Sequence, residues 1–449
     1  MKQKKWYVLG IGLIAIIASL YSVTQFSTFE DATWIKLIVL LSTIVVGSIG
    51  LALLFNTKQY VLNTSRIFVG ILFIFSGFVK AVDPLGSKYK FIDYFEAWHI
   101  DFLAPTALTF GLILSTIELV VGLALLFKIL PKYSSILSLI FMAIFTPVTF
   151  YLALQQNVSG KELVHDCGCF GDALVLTNWQ TFIKNIVIIL PVLFLFIYRN
   201  KFTETLSQAK SYRIVIIFTL AVLGLSFYAL KHLPPIDFRP YKKGTKLVNE
   251  QCSDIQRQSN TITYQYGEFV NKKTGERKEY DIVNNYPADW ETWEYDAAKG
   301  VRTVVVEKEP AKDSLPKEKV FFVDNMLFSQ NGQDYTCNIV SDTSYVFLVI
   351  QYDIKTTDLS NQKRINELYD WTQKQGIAFY GASSSLDSDI LEYRKRSAAK
   401  YVILRADDIP LKTIVRANPG LVLLKNGVVI DNWHGSDIPS IQSFAKILK

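Results

Sequence analysis

The chain changes character once, at Leu233-Pro234-Pro235. Before that point lie seven apolar runs, near 6–24, 33–55, 65–82, 106–127, 134–154, 181–198 and 212–231. Each approaches or reaches the roughly 20 residues that a helix needs to cross about 30 Å of hydrocarbon. After that point no such run recurs, charged residues become frequent, and short alternating segments take over. The composition, 50% apolar with 30 Phe and 23 Tyr in 449 residues, is therefore an average of two unlike halves. The pattern predicts a multidomain protein: an all-α polytopic membrane bundle of about seven spans, then a soluble α/β domain preceded by a β-rich region.

Lysine and arginine in the short loops set the orientation. Lys2, Lys4, Lys5, Lys58, Arg66, Lys128, Lys132, Arg199, Lys201, Lys210 and Arg213 fall on one side of a seven-span arrangement, which is then the cytoplasm. The opposite loops hold Glu30, Asp31, Asp83, Asp93, Glu96, Asp101, Glu162, Asp166 and Asp172. The soluble half is expected on that outer side. No small-residue cleavage site follows the first apolar run, so it reads as an uncleaved anchor. The formal net charge of +7 calls for no nucleic-acid partner, because much of the excess sits in cytoplasmic loops.

Two of the four cysteines stand one residue apart in His165-Asp166-Cys167-Gly168-Cys169-Phe170-Gly171-Asp172, a polar loop on the outer side. Thiolates attack disulfides and bind soft metals, and a ring closed through a single glycine is strained and more easily reduced than a structural bridge. Redox exchange through Cys167 and Cys169 is the first expectation. A static bridge is the plainer one. A metal site on His165, Cys167 and Cys169 lacks the second Cys or His cluster of closed zinc sites, and no metal is expected.

Charged residues within the spans add a second candidate site. Glu118 lies near the middle of span four, where an ionised carboxylate is costly unless paired or protonated. Lys80 on span three and Lys184 on span six lie nearer the outer surface; Lys80, about 9 Å from its span's midpoint at 1.5 Å per residue, can bend inward toward Glu118 or snorkel outward. Gly70, Ser76 and Gly77 suit close helix packing.

Arg66, Gly70, Ser76-Gly77, Lys80, Asp83-Pro84, Ile117-Glu118 and Gly122 together resemble the DoxX family of small membrane bundles, and Cys167-Gly168-Cys169-Phe170-Gly171 resembles the hallmark loop of the related MauE family. The resemblance covers roughly 60–200 and implies a four-helix, redox-associated module. MauE-like proteins are linked to maturation of methylamine dehydrogenase, and DoxX-like ones to thiosulfate and quinone redox systems. The combination with a large exported domain resembles DoxX-family proteins of Bacteroidota, which implies a periplasm outside and a bacterial inner membrane around the spans.

In the soluble half, Thr261–Tyr266, Lys278–Ile282, Val301–Val306 and Val320–Val323 read as strands, with a turn at Asn271–Glu276. Ser344–Ile350, a helix near Asn361–Gln375 and Ile377–Tyr380 then make a strand, helix, strand unit of a parallel sheet. Leu421–Leu424 and Val428–Ile430 flank Asn426-Gly427, a strong hairpin signal. This order resembles the thioredoxin-like fold, and Pro419 matches its usually cis proline. Gln351–Thr357 stands where that family carries its Cys-x-x-Cys, so binding of a partner is expected of this domain in place of catalysis. Trp433 and His434 offer a binding edge. Cys252 and Cys337 flank the β-rich segment; a structural disulfide is the simplest pairing, and exchange with Cys167 or Cys169 the alternative.

The expected division is 1–60 for two membrane helices, 61–200 for the DoxX/MauE-like module, 201–235 for the seventh span, 236–340 for the β-rich segment and 341–449 for the thioredoxin-like domain. Three functions compete. One is a membrane thiol oxidoreductase that takes electrons from a periplasmic thiol protein through Cys167 and Cys169 and passes them to a lipid-soluble acceptor such as quinone. The second is a non-catalytic assembly protein that docks a partner on the soluble domain. The third is a transporter that uses Glu118.

Overall fold

The computed structural model describes residues 58–159, 164, 166–202, 206–249, 252, 261–281, 291–296, 301–307, 319–322, 327–330 and 332–448. The apolar runs at 6–24 and 33–55, and His165, lie outside the described residues. The chain separates into two units, Met1–Arg239 and Pro240–Lys449.

The first unit is helical. Among the described residues five stretches are long and apolar enough to cross a membrane: Val61–Val82, Asp101–Leu126, Pro131–Gln155, Asn178–Ile197 and Gln208–Lys231. They belong to α1 (Lys58–Val82), α3 (Ala107–Leu126), α4 (Pro131–Ser159), α5 (Asn178–Ile197) and α6 (Gln208–Lys231), while α2 (Pro84–Ala97) is too short and polar to span. The charge pattern showed only a loop where α2 forms. Asp83 starts it, accepting the Gly86 amide at 2.9 Å, with Pro84 in the first turn, a combination that satisfies one free amide and presets φ.

α1 and α3 touch backbone to backbone. A Cβ on Gly77 would stand 2.4 Å from the Leu119 amide nitrogen, and one on Gly122 would stand 2.6 Å from that of Ile74. Glycine is required there because van der Waals packing, with no hydrophobic drive between helices in lipid, holds such pairs. At the far end of α3, Arg66 donates to the carbonyls of Leu125 and Leu126 in the helix's last turn. Ser226 of α6 donates to Ala81 O at 3.0 Å, so the C-terminal ends of α6 and α1 lie together. Val69, Phe73, Val121, Met142, Ile188 and Val192 fill the centre. Ile71, Ile113, Ile140, Ile183 and Leu220 remain exposed on outer faces, as lipid-facing residues must.

Among the described residues, the second unit is built on a nine-stranded mixed sheet and a four-stranded antiparallel one. Its strands are β1 (Thr245–Val248), β2 (Thr261–Asn271), β3 (Arg277–Asp281), β4 (Trp293–Tyr295), β5 (Val301–Glu307), β6 (Lys319–Phe322), β7 (Ser329–Gln330), β8 (Gln333–Asp334), β9 (Tyr345–Ile350), β10 (Ala378–Ser383), β11 (Val402–Arg405), β12 (Gly420–Lys425) and β13 (Val428–His434). The large sheet runs β6-β1-β13-β12-β9-β10-β11-β7-β8. β9, β10 and β11 are mutually parallel, and β12 is antiparallel to β9 and β13. β9 is buried along nearly its whole length, as a central strand covered on both faces should be. Asn426 and Gly427, both at positive φ, close the β12–β13 hairpin.

Strands from either side of residue 340 share this sheet, since β1, β6, β7 and β8 extend the edges of the β9–β13 core. The sequence pattern separated a β-rich segment from a following domain because edge strands of two to four residues carry almost no periodicity. Sequence reasoning also passed over the helix Asp387–Ser397 and the strand β11 that follows it. Its apolar residues are few: Ile390 and Tyr393 are buried and Leu391 is exposed. Cys252 and Cys337 are joined by a disulfide with Cα atoms 5.2 Å apart.

Candidate functional site

The loop between α4 and α5 folds back over the ends of α1 and α2. Cys167 and Cys169 form a disulfide with Cα atoms 5.4 Å apart. Gly168 between them has φ +65°, and a Cβ there would stand 2.8 Å from Lys90 Cγ, so only glycine fits. The loop's conformation is fixed from four directions. Asp166 accepts the Gly168 amide at 2.9 Å and pairs with Lys90 Nζ at 2.5 Å. Tyr94, also on α2, donates its phenol to Cys167 O at 3.0 Å. Ser76 of α1 donates to Cys169 O at 2.5 Å, and Lys80 Nζ donates to the same oxygen. Asn178, in the first turn of α5, donates to Val164 O at 3.0 Å.

Lys80 joins the loop to the intramembrane carboxylate. Its ammonium donates to Glu118 Oε2 at 2.9 Å and to Ser76 Oγ at 2.7 Å. Both partners are buried, with side chains 9% and 5% exposed. The pair thus turns inward and does not snorkel, because the ammonium finds a carboxylate, a hydroxyl and a carbonyl within the bundle. Burial of this kind needs every donor used, and the three acceptors supply that.

The disulfide sulfurs are not equivalent. The Cys169 amide donates to Cys167 Sγ at 3.2 Å, and the Thr181 hydroxyl of α5 stands 3.6 Å from the same sulfur. Phe170, buried after the pair, packs against Phe75 at 5.5 Å between centroids and carries Lys184 Nζ 4.3 Å above its ring. Lys184, expected near the outer surface, accordingly faces this ring. Burial, and then the negative charges of Asp166 and Asp93, push the Tyr94 phenol well above its ordinary range, so it remains a donor to Cys167 O.

A cavity of about 200 Å³ opens beside the pair, with Cys167, Cys169, Lys80, Glu118 and Lys184 in a wall that is otherwise mainly aromatic and aliphatic. An apolar cavity of roughly 150 Å³ accepts a benzene-sized molecule, so this one has room for a substituted ring. Among the described residues no group of three or more His, Cys, Asp and Glu side chains is arranged to hold a metal ion.

The remaining sequence candidates lie in the second unit. The Asn418–Pro419 peptide is cis, and Asn418 Nδ2 donates to Asp353 O at 2.6 Å, within the segment that follows β9. Trp433 is held edge-on against Phe444, 5.1 Å between centroids, and His434 Nδ1 accepts the Ser436 amide at 3.1 Å. Both side chains are thus engaged in the unit's own packing. Lys90, Tyr94 and Thr181 at the disulfide escaped sequence reasoning, and Ser76 reads in the sequence only as a packing residue. The one available signal was the i, i+4 spacing of Ser76 and Lys80 on one helix face.

Residues 58–198 match the family model described as "Methylamine utilisation protein MauE". Protein TlpB of Flavobacterium psychrophilum is 30% identical over 192 residues, which is 42% of this chain and 47% of TlpB. The chain thus spans about half the length of this curated relative. No solved structure matches the chain. The family match begins with α1 and ends just past α5, enclosing the disulfide, the Lys80–Glu118 pair and the cavity. Residues 58–198 of this membrane protein are thus similar to the MauE family.

Proposed function

We propose that this protein is a membrane thiol-disulfide oxidoreductase. The observation that carries the reading is the position of the Cys167–Cys169 disulfide, at the end of the bundle and in the wall of an apolar cavity among the membrane helices. A pair so placed can meet an aqueous thiol on one side and a lipid-soluble acceptor on the other. The thiol partner is a periplasmic protein and the acceptor a quinone. The balance is a dithiol plus quinone giving a disulfide plus quinol. The cavity fits such a ring in size and in its aromatic lining, and Lys184 is a polar side chain in its wall.

The second unit docks the thiol partner. The order β13-β12-β9-β10, the helix Gln362–Gln375 between β9 and β10, and the cis Pro419 support a thioredoxin-like core, with 236–340 as its β-rich extension. The absence of cysteine from Gln351–Thr357 favours docking there over catalysis. The orientation has the N-terminus in the cytoplasm and residues 232–449 in the periplasm of a bacterial inner membrane. It is supported by the loop charges and by the C-terminal end of α6 lying beside that of α1, the end that holds Cys169.

The test is to purify the full chain in detergent, reduce the pair with dithiothreitol, remove the reductant and add a short-chain ubiquinone. One quinol should form for each Cys167–Cys169 disulfide regained, with none from the double Ser variant. Quinol formation independent of the cysteines contradicts the proposal.

A further inference from the structure

Resting on the exchange proposed above, we infer that the two cysteines have fixed and different roles: Cys167 is the sulfur released as thiolate, Cys169 is the sulfur that carries the mixed disulfide with substrate, and Thr181 sets this order. One donor, the Cys169 amide, is directed at Cys167 Sγ at 3.2 Å, and the Thr181 hydroxyl oxygen stands 3.6 Å from the same sulfur, placed to donate to it once it is a thiolate. Among the described residues neither of these, nor any other donor, is directed at Cys169 Sγ. Hydrogen bonds to the charged form favour that form. A sulfur so stabilised is also the better leaving group, because a leaving thiol of lower pKa departs faster.

Lys80 on α1, Lys90 and Tyr94 on α2, Glu118 on α3 and Lys184 on α5 line the cavity that both cysteines share, and Lys90 pairs with Asp93 on α2 and with Asp166 on the loop itself, which also carries Asp172. Lys80 and Ser76 bond to the Cys169 carbonyl and Tyr94 to that of Cys167, so these side chains meet the backbone of the two cysteines and not their sulfurs. What differs between them is direct contact, and Thr181 is the side chain that supplies it. The loop's anchors hold that contact in place: Tyr94 fixes the Cys167 carbonyl, and Ser76 and Lys80 fix that of Cys169.

The exchange then runs in one order. A substrate thiolate attacks Cys169 Sγ, a new S–S bond forms there, the Cys167–Cys169 bond breaks, and its electron pair leaves on Cys167. The second substrate thiol loses its proton and attacks the substrate sulfur of the mixed disulfide. The substrate's own disulfide forms, and Cys169 leaves and takes up a proton. The substrate dithiol has lost two electrons and the cysteine pair has gained them. Of the two substrate protons, one ends on Cys169 and the other in water, while Cys167 remains a thiolate.

The experiment uses the full chain in detergent, reduced with a phosphine and alkylated with iodoacetamide at a series of pH values, with each cysteine quantified by peptide mass spectrometry. Cys167 should alkylate with the lower midpoint. Thr181→Val should raise the Cys167 midpoint by about one unit, the scale of one hydrogen bond to a charged group, leave Cys169 in place, and be corrected by Thr181→Ser. With the disulfide form of a two-cysteine peptide as probe, so that the remaining cysteine attacks it and a peptide thiolate leaves, Cys167→Ser should accumulate a mixed disulfide on Cys169, and Cys169→Ser should accumulate none on Cys167. Equal or reversed midpoints, or a midpoint indifferent to Thr181→Val, overturn the assignment. If the midpoints and their response to Thr181 are as stated and no variant or wild-type protein exchanges with the peptide, the cysteine order stands and the oxidoreductase reading falls.

Discussion

Lys80 and Glu118 form the buried ion pair on which the loop rests, 2.9 Å apart in helices that face lipid. Removing one partner from such a pair strands the other charge, at about 3–5 kcal/mol. Lys80→Met should therefore lower the thermal stability of the detergent-solubilised protein and leave the Cys169 carbonyl with Ser76 as its donor, whereas Glu118→Gln keeps an acceptor for Lys80 and should insert normally. Glu118→Lys places two ammonium groups together and should fail to accumulate in the membrane, as a quantitative membrane immunoblot would show. Equal membrane levels and equal activity for wild type and both Glu118 variants would mean that the pair is inert. Single residues were legible here in proportion to their chemical rarity. Cys167, Cys169 and Glu118 stand out in any sequence, the first two as neighbouring thiols and the third as a charge in an apolar run. Thr181 and Tyr94 do not, because a hydroxyl near a span's end is common and only tertiary packing brings these two to Cys167.

Among the elements, α2 is the one whose role was hidden. Its sequence carries lysines, tyrosines and an aspartate that rule out a span, and its start signal, Asp83-Pro84, is equally a turn signal. Once folded it clamps the cysteine loop through Lys90 and Tyr94. Lys90→Met with Tyr94→Phe should loosen the loop and speed reduction of Cys167–Cys169 by a small phosphine several-fold, measured by stopped thiol labelling, without loss of helix content. Tyr94 also predicts the pH dependence. Its pKa is raised in the folded protein, so its contribution to stability is complete below the ordinary phenol pKa of about 10 and declines only as pH rises beyond that. Phosphine reduction rates of the wild-type loop should then show no phenol-linked step between pH 6 and 9. The contact of α1 with α3 is as specific: Gly77→Val would drive a side chain into the backbone at Leu119, and the protein should not reach the membrane in folded form.

For the molecule as a whole, the long apolar runs made the helical half legible because length alone identifies a span, and the five helices in the described residues begin and end within a few residues of those runs. The soluble half was legible at its buried centre, where β9 and the β12–β13 hairpin carry strong patterns. It was less so at the sheet's edges, where β7 and β8 have two residues each. Cys252 and Cys337, 85 residues apart, staple this half. In the chain-entropy model a loop of that size contributes up to about 4 kcal/mol, so Cys252→Ser should make the second unit markedly more sensitive to protease. On the proposed orientation, protease added to spheroplasts should remove residues 232–449, and an impermeant maleimide should label reduced Cys167 and Cys169.

The central claim is that Cys167 and Cys169 cycle between disulfide and dithiol, and a mass-shifting maleimide applied to acid-quenched membranes measures it most directly. The pair should be unlabelled in membranes as isolated, labelled after mild reduction, and unlabelled again once quinone is supplied, with the Cys252–Cys337 bridge unchanged throughout. A pair that is labelled under every condition, or a double Ser variant that retains every activity of the wild type, would contradict it.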